Sequence, residues 1–272
     1  MSSAAERWAE ALGSWAIPEE ILNAAPESPW GFPVECFRAV ATEVLTPTHL
    51  AVAEALPEQG TLIDVGSGGG AASIPLASKL SRLVAIDQDA RMLDDLRQTA
   101  ATANPSLEVV TVAATWPCEM PAGSVDVAVC ANVLYNVADI APFIAALDAA
   151  CTRRVVVELT AVHPVAWMND LWMHFHGISR PERPTLADAI AVIEDSGAAP
   201  QRKDHPSTPV FAGFAERSNA VAFIRRRLCL PATEDARVAD ALGDRLVEDS
   251  LGWQVGPARQ ERVTLWWEPL RG

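Results

Sequence analysis

The sequence has few basic residues. Its 272 residues contain 21 lysines and arginines against 35 aspartates and glutamates, which gives a formal net charge of −14. A field of that sign repels phosphate backbones and anionic lipid, so nucleic-acid and membrane partners are disfavoured. The one basic cluster is Arg225-Arg226-Arg227. Three consecutive helical residues spread over about 200°, which favours a solvated face over a binding patch.

Cysteine and histidine are also sparse, and their spacing is poorly suited to metal binding. The five cysteines are odd in number and scattered, with no C-x-x-C pair. We therefore expect buried thiols in a reducing compartment rather than disulfides or a zinc clamp. His174 and His176 form an H-x-H pair, but residues i and i+2 of a helix point in different directions. No metal site is expected.

Long apolar runs are missing. The longest stretch without a charged residue runs from Val65 to Ser78, which is too short and too rich in glycine to span a bilayer. The first residues lack a basic leader and an apolar segment, so we expect a cytoplasmic protein. Half of the residues are nevertheless apolar, which excludes a disordered chain and supplies a core. The length suits one large α/β domain with helical additions.

The middle of the chain alternates β-branched runs with helical segments. Strands are predicted at 61–65, 82–87, 107–113, 124–130 and 153–159, and helices at 71–80, 90–103 and 140–150. Continuous apolar strands are typical of a parallel sheet that is buried on both faces. The βαβ alternation predicts right-handed crossovers. We therefore predict an α/β fold with a doubly wound, mostly parallel, seven-stranded Rossmann-like sheet.

The flanking regions are predicted to be largely helical. Residues 1–57 form an N-terminal helical extension or lid, with helices at 35–44 and 48–56, and residues 58–272 form the main domain. This domain divides into a ligand-binding core at 61–159 and helical additions at 160–258. Within and after the additions we predict helices at 164–177, 186–196, 215–229 and 234–249, and strands at 200–210 and 262–267. The segment Trp30-Gly31-Phe32-Pro33 is either part of a lid or plain packing.

The most informative segment is the glycine-rich stretch at 62–70, where the first strand passes into the first helix. In a doubly wound sheet ligands bind at this corner, and glycines let the backbone turn sharply and approach the ligand. Gly66-x-Gly68-x-x-Ala71 satisfies the pattern of nicotinamide and flavin binders, whose pyrophosphate rests on a helix N-terminus. Asp64 at the strand end has no use beside a pyrophosphate. It suits a ligand that carries an ammonium and a sulfonium.

Asp64, Gly66, Gly68 and Gly70 match the pattern acid-x-Gly-x-Gly-x-Gly, which resembles motif I of the class I S-adenosylmethionine-dependent methyltransferases. The stretch 84–93, in which Asp87 ends the second strand, and the stretch 123–137 around the fourth strand also look like that family. The resemblance covers about 61–159. Phe175-His176-Gly177 and Leu265-Trp266-Trp267 are similar to a bacterial subgroup, without indicating an acceptor.

The resemblance implies S-adenosylmethionine as cofactor, with Asp87 accepting hydrogen bonds from the ribose hydroxyls. Asp89 fits the N-cap of the following helix better than a second ligand contact. The end of the fourth strand would face the methionine moiety. The implied cofactor-binding residues are Asp64, Gly66, Ser67, Gly68, Gly70, Asp87, Gln88, Thr115, Trp116, Ala131 and Asn132.

One departure concerns the adenine. Many family members place an acid just after the third strand to receive the adenine amino group, but Ala113-Ala114-Thr115-Trp116 offers none. Thr115 or a backbone carbonyl would substitute, and Trp116 either packs on the adenine face or belongs to the core.

Methyl transfer is an in-line displacement that depends chiefly on positioning. A general base would help an oxygen or nitrogen acceptor, and the candidates are Tyr135, Glu158, His163 and His174, with Asn136 as an orienting residue only. For Tyr135 the alternative is a structural wall, for His163 a helix cap, and for His174 a partly exposed histidine without a role. We predict a small, partly apolar acceptor and a possible homodimer. The rival hypotheses are an NAD(P)-dependent oxidoreductase and a non-catalytic cofactor-binding subunit.

Overall fold

The computed structural model describes residues 2–31, 44–120, 123–207, 211–250, 252–257 and 259–270. The strands of its main sheet are β1 Gly60–Val65, β2 Leu80–Asp87, β3 Glu108–Ala113, β4 Val125–Ala131, β5 Cys151–Thr160, β6 Gln201–Ser207 and β10 Gln260–Trp267. They form a seven-stranded sheet in the order β3-β2-β1-β4-β5-β10-β6. Strand β10 is antiparallel to both of its neighbours, while β1 to β5 are parallel. The predicted seven-stranded, mostly parallel sheet is thereby confirmed.

Helices cover both faces of the sheet. Against one face pack α1 Ala4–Gly13, α5 Ile140–Ala150 and α7 Leu186–Asp195. Against the other pack α3 Pro47–Ala55 and α4 Ala90–Ala103. Central strands are apolar on both sides because both sides are covered, which is why their sequences read as continuous runs. The predicted bounds of α4 and α5 are correct.

The predicted helix at 71–80 is wrong. The chain makes tight turns through the glycines and then a 3₁₀ helix at Ile74–Lys79 before β2 begins. Backbone bonds of the i to i+3 type, such as Ser73 N to Gly70 O at 3.1 Å, start this tighter path. Pro75 in its first turn has no N–H to donate, which suits the end of a helix but not its interior.

A second, smaller sheet lies between β6 and β10 in the chain. Its strands are β7 Phe211–Phe214, β8 Leu246–Asp249 and β9 Gly252–Val255, in the order β7-β9-β8. With α6 Asn169–His176, α8 Arg217–Arg227 and α9 Asp235–Leu242 they enclose a separate hydrophobic core. The predicted helix at 234–249 is wrong beyond Leu242, because Gly243 (φ +50°) ends α9 and the chain enters β8. The additions are therefore mixed α and β.

The N-terminal segment is fastened to the rest by tryptophan and arginine side chains. It contains α1 and α2 Glu19–Ala24, and Trp15 Nε1 donates to the Arg183 carbonyl at 2.6 Å. Buried Arg225 pairs with Glu27 and with Asp235, and Arg227 donates to the carbonyls of Pro29 and Gly31. The expected solvated face at 225–227 is thus wrong for Arg225 and Arg227. Apart from Val44, the predicted helix at 35–44 lies outside the described residues, as does the Phe32-Pro33 part of the predicted lid.

Within the described ranges, no helix is long and apolar enough to cross a membrane.

Candidate functional site at the carboxyl ends of the strands

The loop after β1 is the centre of the site. Gly66, Gly68 and Gly70 have φ of +69°, +50° and +87°, the left-handed region that favours glycine. Ser67 N, like its neighbour Gly66 N, donates to the Ile86 carbonyl, which fixes the loop against β2. A Cβ at Gly66 would lie 2.3 Å from Val133 Cγ2. The loops after β1 and β4 are therefore in van der Waals contact, and only glycine allows that distance.

Asp64 lies beneath this loop and is 1% exposed. Burial raises the pKa of its carboxyl to about 7, an effect that the Ser73 hydroxyl opposes and the charge of Asp87 reinforces. Asp64 Oδ2 and the Ser67 hydroxyl are buried without a hydrogen-bond partner among the described residues. Buried polar atoms normally have a partner. A polar ligand with donor groups, bound at the glycine loop, would supply hydrogen bonds to these two oxygens.

Asp87 stands at the end of β2 and connects the glycine loop to α4. Its Oδ2 accepts from Gly68 N at 2.9 Å and its Oδ1 from Asp89 N at 2.8 Å. Each carboxylate oxygen retains a second lone pair for a ligand hydroxyl. Gln88 is exposed beside it. Asp89 caps α4 by accepting from Arg91 N, which confirms that reading of Asp89.

Thr115 and Trp116, the two residues predicted to contact an adenine, lie in different environments. Thr115 is exposed at the end of β3. Trp116 is 8% exposed and packs in the main core, where Nε1 donates to the Phe143 carbonyl at 3.2 Å. The structure therefore favours the core alternative for Trp116 over a ring that stacks on a ligand.

At the end of β4, Ala131 is half-buried and Asn132 is exposed. Asn132 has a left-handed φ of +59°, a conformation that asparagine adopts more readily than most other residues with a Cβ. Its backbone N donates to the Glu158 carbonyl at 2.7 Å, and its Nδ2 donates to Glu158 Oε1 at 3.0 Å. Glu158 therefore accepts hydrogen bonds from both the backbone N–H and the side-chain amide of Asn132.

Glu158, predicted as a candidate general base but not as a cofactor-binding residue, joins several elements of the fold. It is 5% exposed on β5, and besides Asn132 it accepts hydrogen bonds from Arg262 NH1 on β10 and from Thr48 Oγ1 on α3. Burial would raise its pKa, but Arg262, with help from Thr48, Asn132 and His205, outweighs burial and holds the pKa of Glu158 below its ordinary value. The available sequence signal was an acid inside the apolar run of β5.

The candidate bases Tyr135 and His163 lie beside each other, 5.2 Å apart between ring centroids. The Tyr135 hydroxyl donates to the Thr160 carbonyl at 2.9 Å, and burial raises its pKa far above the ordinary value. The His163 ring stacks on Trp15 at 3.9 Å, and its Nδ1 accepts from Val165 N at 3.4 Å. Burial, reinforced by Arg180, lowers the pKa of His163 to about 4. This geometry favours a structural wall for Tyr135 and a neutral cap for His163 over general bases.

Replacing Tyr135 by phenylalanine is expected to lower the free energy of unfolding by about 1 kcal/mol, because one buried hydrogen bond to the Thr160 carbonyl is lost. Cofactor affinity and pH dependence of turnover should stay as in the wild-type protein. Urea titration and calorimetry with S-adenosylhomocysteine measure both. A turnover loss of several orders of magnitude with unchanged stability would restore Tyr135 as a catalytic residue.

His174 is exposed on α6, with an edge contact to Phe175. It is not brought to Tyr135 and His163, which argues against its predicted role as a pocket base. Its neighbour His176 is anchored instead, with Nε2 2.7 Å from the Leu228 carbonyl.

Among the residues that the structure describes, no group of three or more histidine, cysteine or acidic side chains could hold a metal ion. A cavity of about 550 Å³ opens at the opposite, amino end of β5, with Arg153, Arg154 and Glu268 in its lining. It is remote from the loops after β1, β2 and β4.

Comparison with known proteins agrees with this geometry. Residues 62–153 match the family model described as a methyltransferase domain. The fold of the chain is similar to that of the YcgJ protein of Bacillus subtilis, at 14% identity and a TM-score of 0.55, over 83% of this chain and 98% of that one. No curated protein matches the chain.

A second similar structure is the magnesium protoporphyrin IX methyltransferase of Synechocystis with bound S-adenosylhomocysteine, at 15% identity and a TM-score of 0.50, over 80% of this chain and 78% of that one. The predicted resemblance to class I methyltransferases and the predicted fold are confirmed. The family uses S-adenosylmethionine, in agreement with the predicted cofactor.

Proposed function

We propose that this methyltransferase transfers the methyl group of S-adenosylmethionine to a small, partly apolar acceptor by in-line displacement. The observation that carries the proposal is the buried Asp64 with its unpaired Oδ2 beneath a loop of left-handed glycines. A carboxylate in that position is costly unless a cation or donor approaches it. The ammonium and sulfonium of the cofactor have the required charge.

Different residues at the strand ends would bind different parts of the cofactor. The glycine loop, with Asp64 beneath it, would hold the methionine part, and the free lone pairs of Asp87 would receive the ribose hydroxyls. Ala131 and the backbone of Asn132 would line the site beside the methionine. When bound, the cofactor supplies an activated methyl group, so the protein's task is to place the acceptor atom behind it and exclude water. No covalent intermediate on the protein is needed.

The acceptor would bind on the β5 side of the site, next to Tyr135 and His163. His163 is the partly exposed ring on this side, and the buried rings of Trp15, which stacks on His163, and Trp8, which stacks on Tyr135 at 5.5 Å, support it from behind. Aromatic walls suit a partly apolar molecule. The similar Synechocystis protein, which is named as a magnesium protoporphyrin IX methyltransferase, supports a small-molecule acceptor by analogy of fold alone.

The rival hypothesis of an NAD(P)-dependent oxidoreductase is not favoured. It requires an α-helix N-terminus beneath a pyrophosphate, and the chain instead makes turns and a 3₁₀ helix after the glycine loop. The four described cysteines are free thiols, which supports the proposed cytoplasmic location.

Asp87→Ala is expected to weaken binding of S-adenosylhomocysteine about 10- to 100-fold, since hydrogen bonds to a charged group are worth about 1.5–3 kcal/mol. Isothermal titration calorimetry measures this directly. Loss of the contact to Gly68 N would loosen the loop and add to the effect.

Asp89→Ala is the matched control, because it removes a carboxylate two residues away that caps α4 and pairs with Arg91. It should cost about 1 kcal/mol of stability and leave affinity for S-adenosylhomocysteine close to that of the wild-type protein. Unchanged affinity in Asp87→Ala would remove the ribose assignment. A thermal shift with NADH and none with S-adenosylhomocysteine would overturn the proposed function as a whole, and absence of turnover with cell extract would favour a non-catalytic subunit.

A further inference from the structure

The side chain of Asn132 points away from the glycine loop. Its backbone N and its Nδ2 both bond to Glu158 of β5, whereas the next residue, Val133, packs against Gly66 of the loop after β1. The amide of Asn132 therefore lies on the β5 side of the β4 end, where the acceptor is proposed to bind.

The carboxylate of Glu158 decides which end of this amide is free. An ionised carboxylate can only accept hydrogen bonds, so the Glu158 carboxylate must face Nδ2 of Asn132. Oδ1 of Asn132 then points to the opposite side of the amide. Arg262 NH1, also 3.0 Å from Glu158 Oε1, keeps that carboxylate charged. Asn132 is exposed, and none of the described residues donates to its Oδ1.

The other oxygen of Glu158 is held from a different part of the chain. Thr48 Oγ1 donates to Oε2 at 2.5 Å, and Thr48 also lies 2.8 Å from Thr264 Oγ1. His205 Nε2 is 3.9 Å from Oε2. Contacts from α3, β6 and β10 thus fix a single orientation of Glu158. Because Glu158 is fixed, the Asn132 amide that is bonded to it is fixed as well. The backbone of Asn132 has a left-handed φ of +59°.

We propose that Asn132 is a specificity-determining residue whose Oδ1 accepts a hydrogen bond from an N–H or O–H group of the methyl acceptor, and that Glu158 is the positioning residue that fixes this amide. The inference rests on the proposed function for the identity of the ligand. It narrows the acceptor to molecules with a nitrogen or oxygen donor group beside an apolar body.

The positioning half of the proposal is tested without any ligand. In protein labelled with ¹⁵N-asparagine, the side-chain protons of Asn132 should exchange more slowly than those of exposed Asn136, because Nδ2 is bonded to a buried carboxylate. Glu158→Gln keeps an accepting oxygen and should keep this protection, whereas Glu158→Ala should lose it. Equal exchange in the wild-type protein and Glu158→Ala would overturn the positioning role.

The specificity role of Asn132 is tested with phenol and anisole as matched probes. Phenol has a hydroxyl proton to donate, and in anisole a methyl group replaces that proton. In wild-type protein saturated with S-adenosylhomocysteine, phenol should shift the Asn132 side-chain resonances and bind several-fold more tightly than anisole. The preference should disappear in Asn132→Ala and in Glu158→Ala, persist in Glu158→Gln, and fall no further in the double variant Asn132→Ala/Glu158→Ala.

Three outcomes would overturn the specificity role. They are equal binding of the two probes, binding of neither, and additive losses in the double variant, since additivity would mean that Glu158 acts independently of Asn132. Failure of S-adenosylhomocysteine to bind the wild-type protein would instead count against the proposed function. The exchange experiment would still decide the positioning role in that case. Thermal melting of each variant identifies any that do not fold, and Glu158→Gln provides the conservative comparison.

Discussion

Between pH 5 and pH 8, the free energy of unfolding of the wild-type protein is expected to fall by about 3 kcal/mol relative to that of the Asp64→Asn variant. Burial raises the pKa of Asp64 from 3.8 to about 7. Between these values the folded protein keeps a proton on Asp64 that the unfolded chain releases. Its contribution to stability is complete below pH 3.8 and is lost as the pH rises through 7. The interval from pH 5 to 7 spans roughly two pH units at 1.36 kcal/mol each.

Urea unfolding at pH 5, 6, 7 and 8 for the two proteins gives this difference directly. The comparison with Asp64→Asn is essential because Asp89, Asp188 and Glu158 have lowered pKa values and contribute in the opposite sense at lower pH. Asp94→Asn removes an exposed acid of α4 and should leave the wild-type profile unchanged. Parallel profiles for the wild-type protein and Asp64→Asn would show that Asp64 is not a buried group with a raised pKa.

Gly66→Ala is expected to lower the free energy of unfolding by about 2–5 kcal/mol, the sum of left-handed strain and overpacking. The new Cβ would meet Val133 Cγ2 at 2.3 Å, and the backbone would be held at φ +69°. The loops after β1 and β4 would have to separate, so affinity for S-adenosylhomocysteine should fall with stability. Chemical denaturation and calorimetry on the same preparation test both effects.

Val133→Ala separates the two causes. In the double variant Gly66→Ala/Val133→Ala the steric overlap is relieved while the backbone strain remains, so part of the lost stability should return. Gly13→Ala is the control for the alanine substitution itself, because no atom lies within 4 Å of a Cβ there, and it should change stability by about 1 kcal/mol or less. A Gly66→Ala protein as stable as Gly13→Ala would contradict the close approach of the two loops.

The central sheet and the helices α4 and α5 were predictable because their signals are local. Helix α4 begins after the capping residue Asp89 and ends before Asn104, and its apolar positions recur at helical spacing. The parallel strands are buried on both faces, so each reads as a short run of β-branched residues. Periodicity and capping depend only on neighbours in the chain.

The errors and the open alternatives arose where distant residues decide the outcome. For Trp116 the sequence left stacking on a ligand and packing in the core both open, and the hydrogen bond to the Phe143 carbonyl in α5 favours the core. Arg225 belongs to a run of three arginines that suggests a solvated face. Its guanidinium is buried because Glu27, from the N-terminal segment, and Asp235 both pair with it. A sequence pattern does not reveal partners of this kind.

The amino-acid sequence alone determined the glycine loop and the acids that end β1 and β2, because left-handed turns require glycine and because the ends of parallel strands meet at one edge of a sheet. These features identify the kind of cofactor. Only the tertiary structure decided how Asn132 is held. Glu158 reaches it from β5 and is itself fixed by Thr48, 110 residues earlier in the chain, and by Arg262, 104 residues later. Hydrogen bonds over such separations form only when the sheet and its covering helices have been assembled.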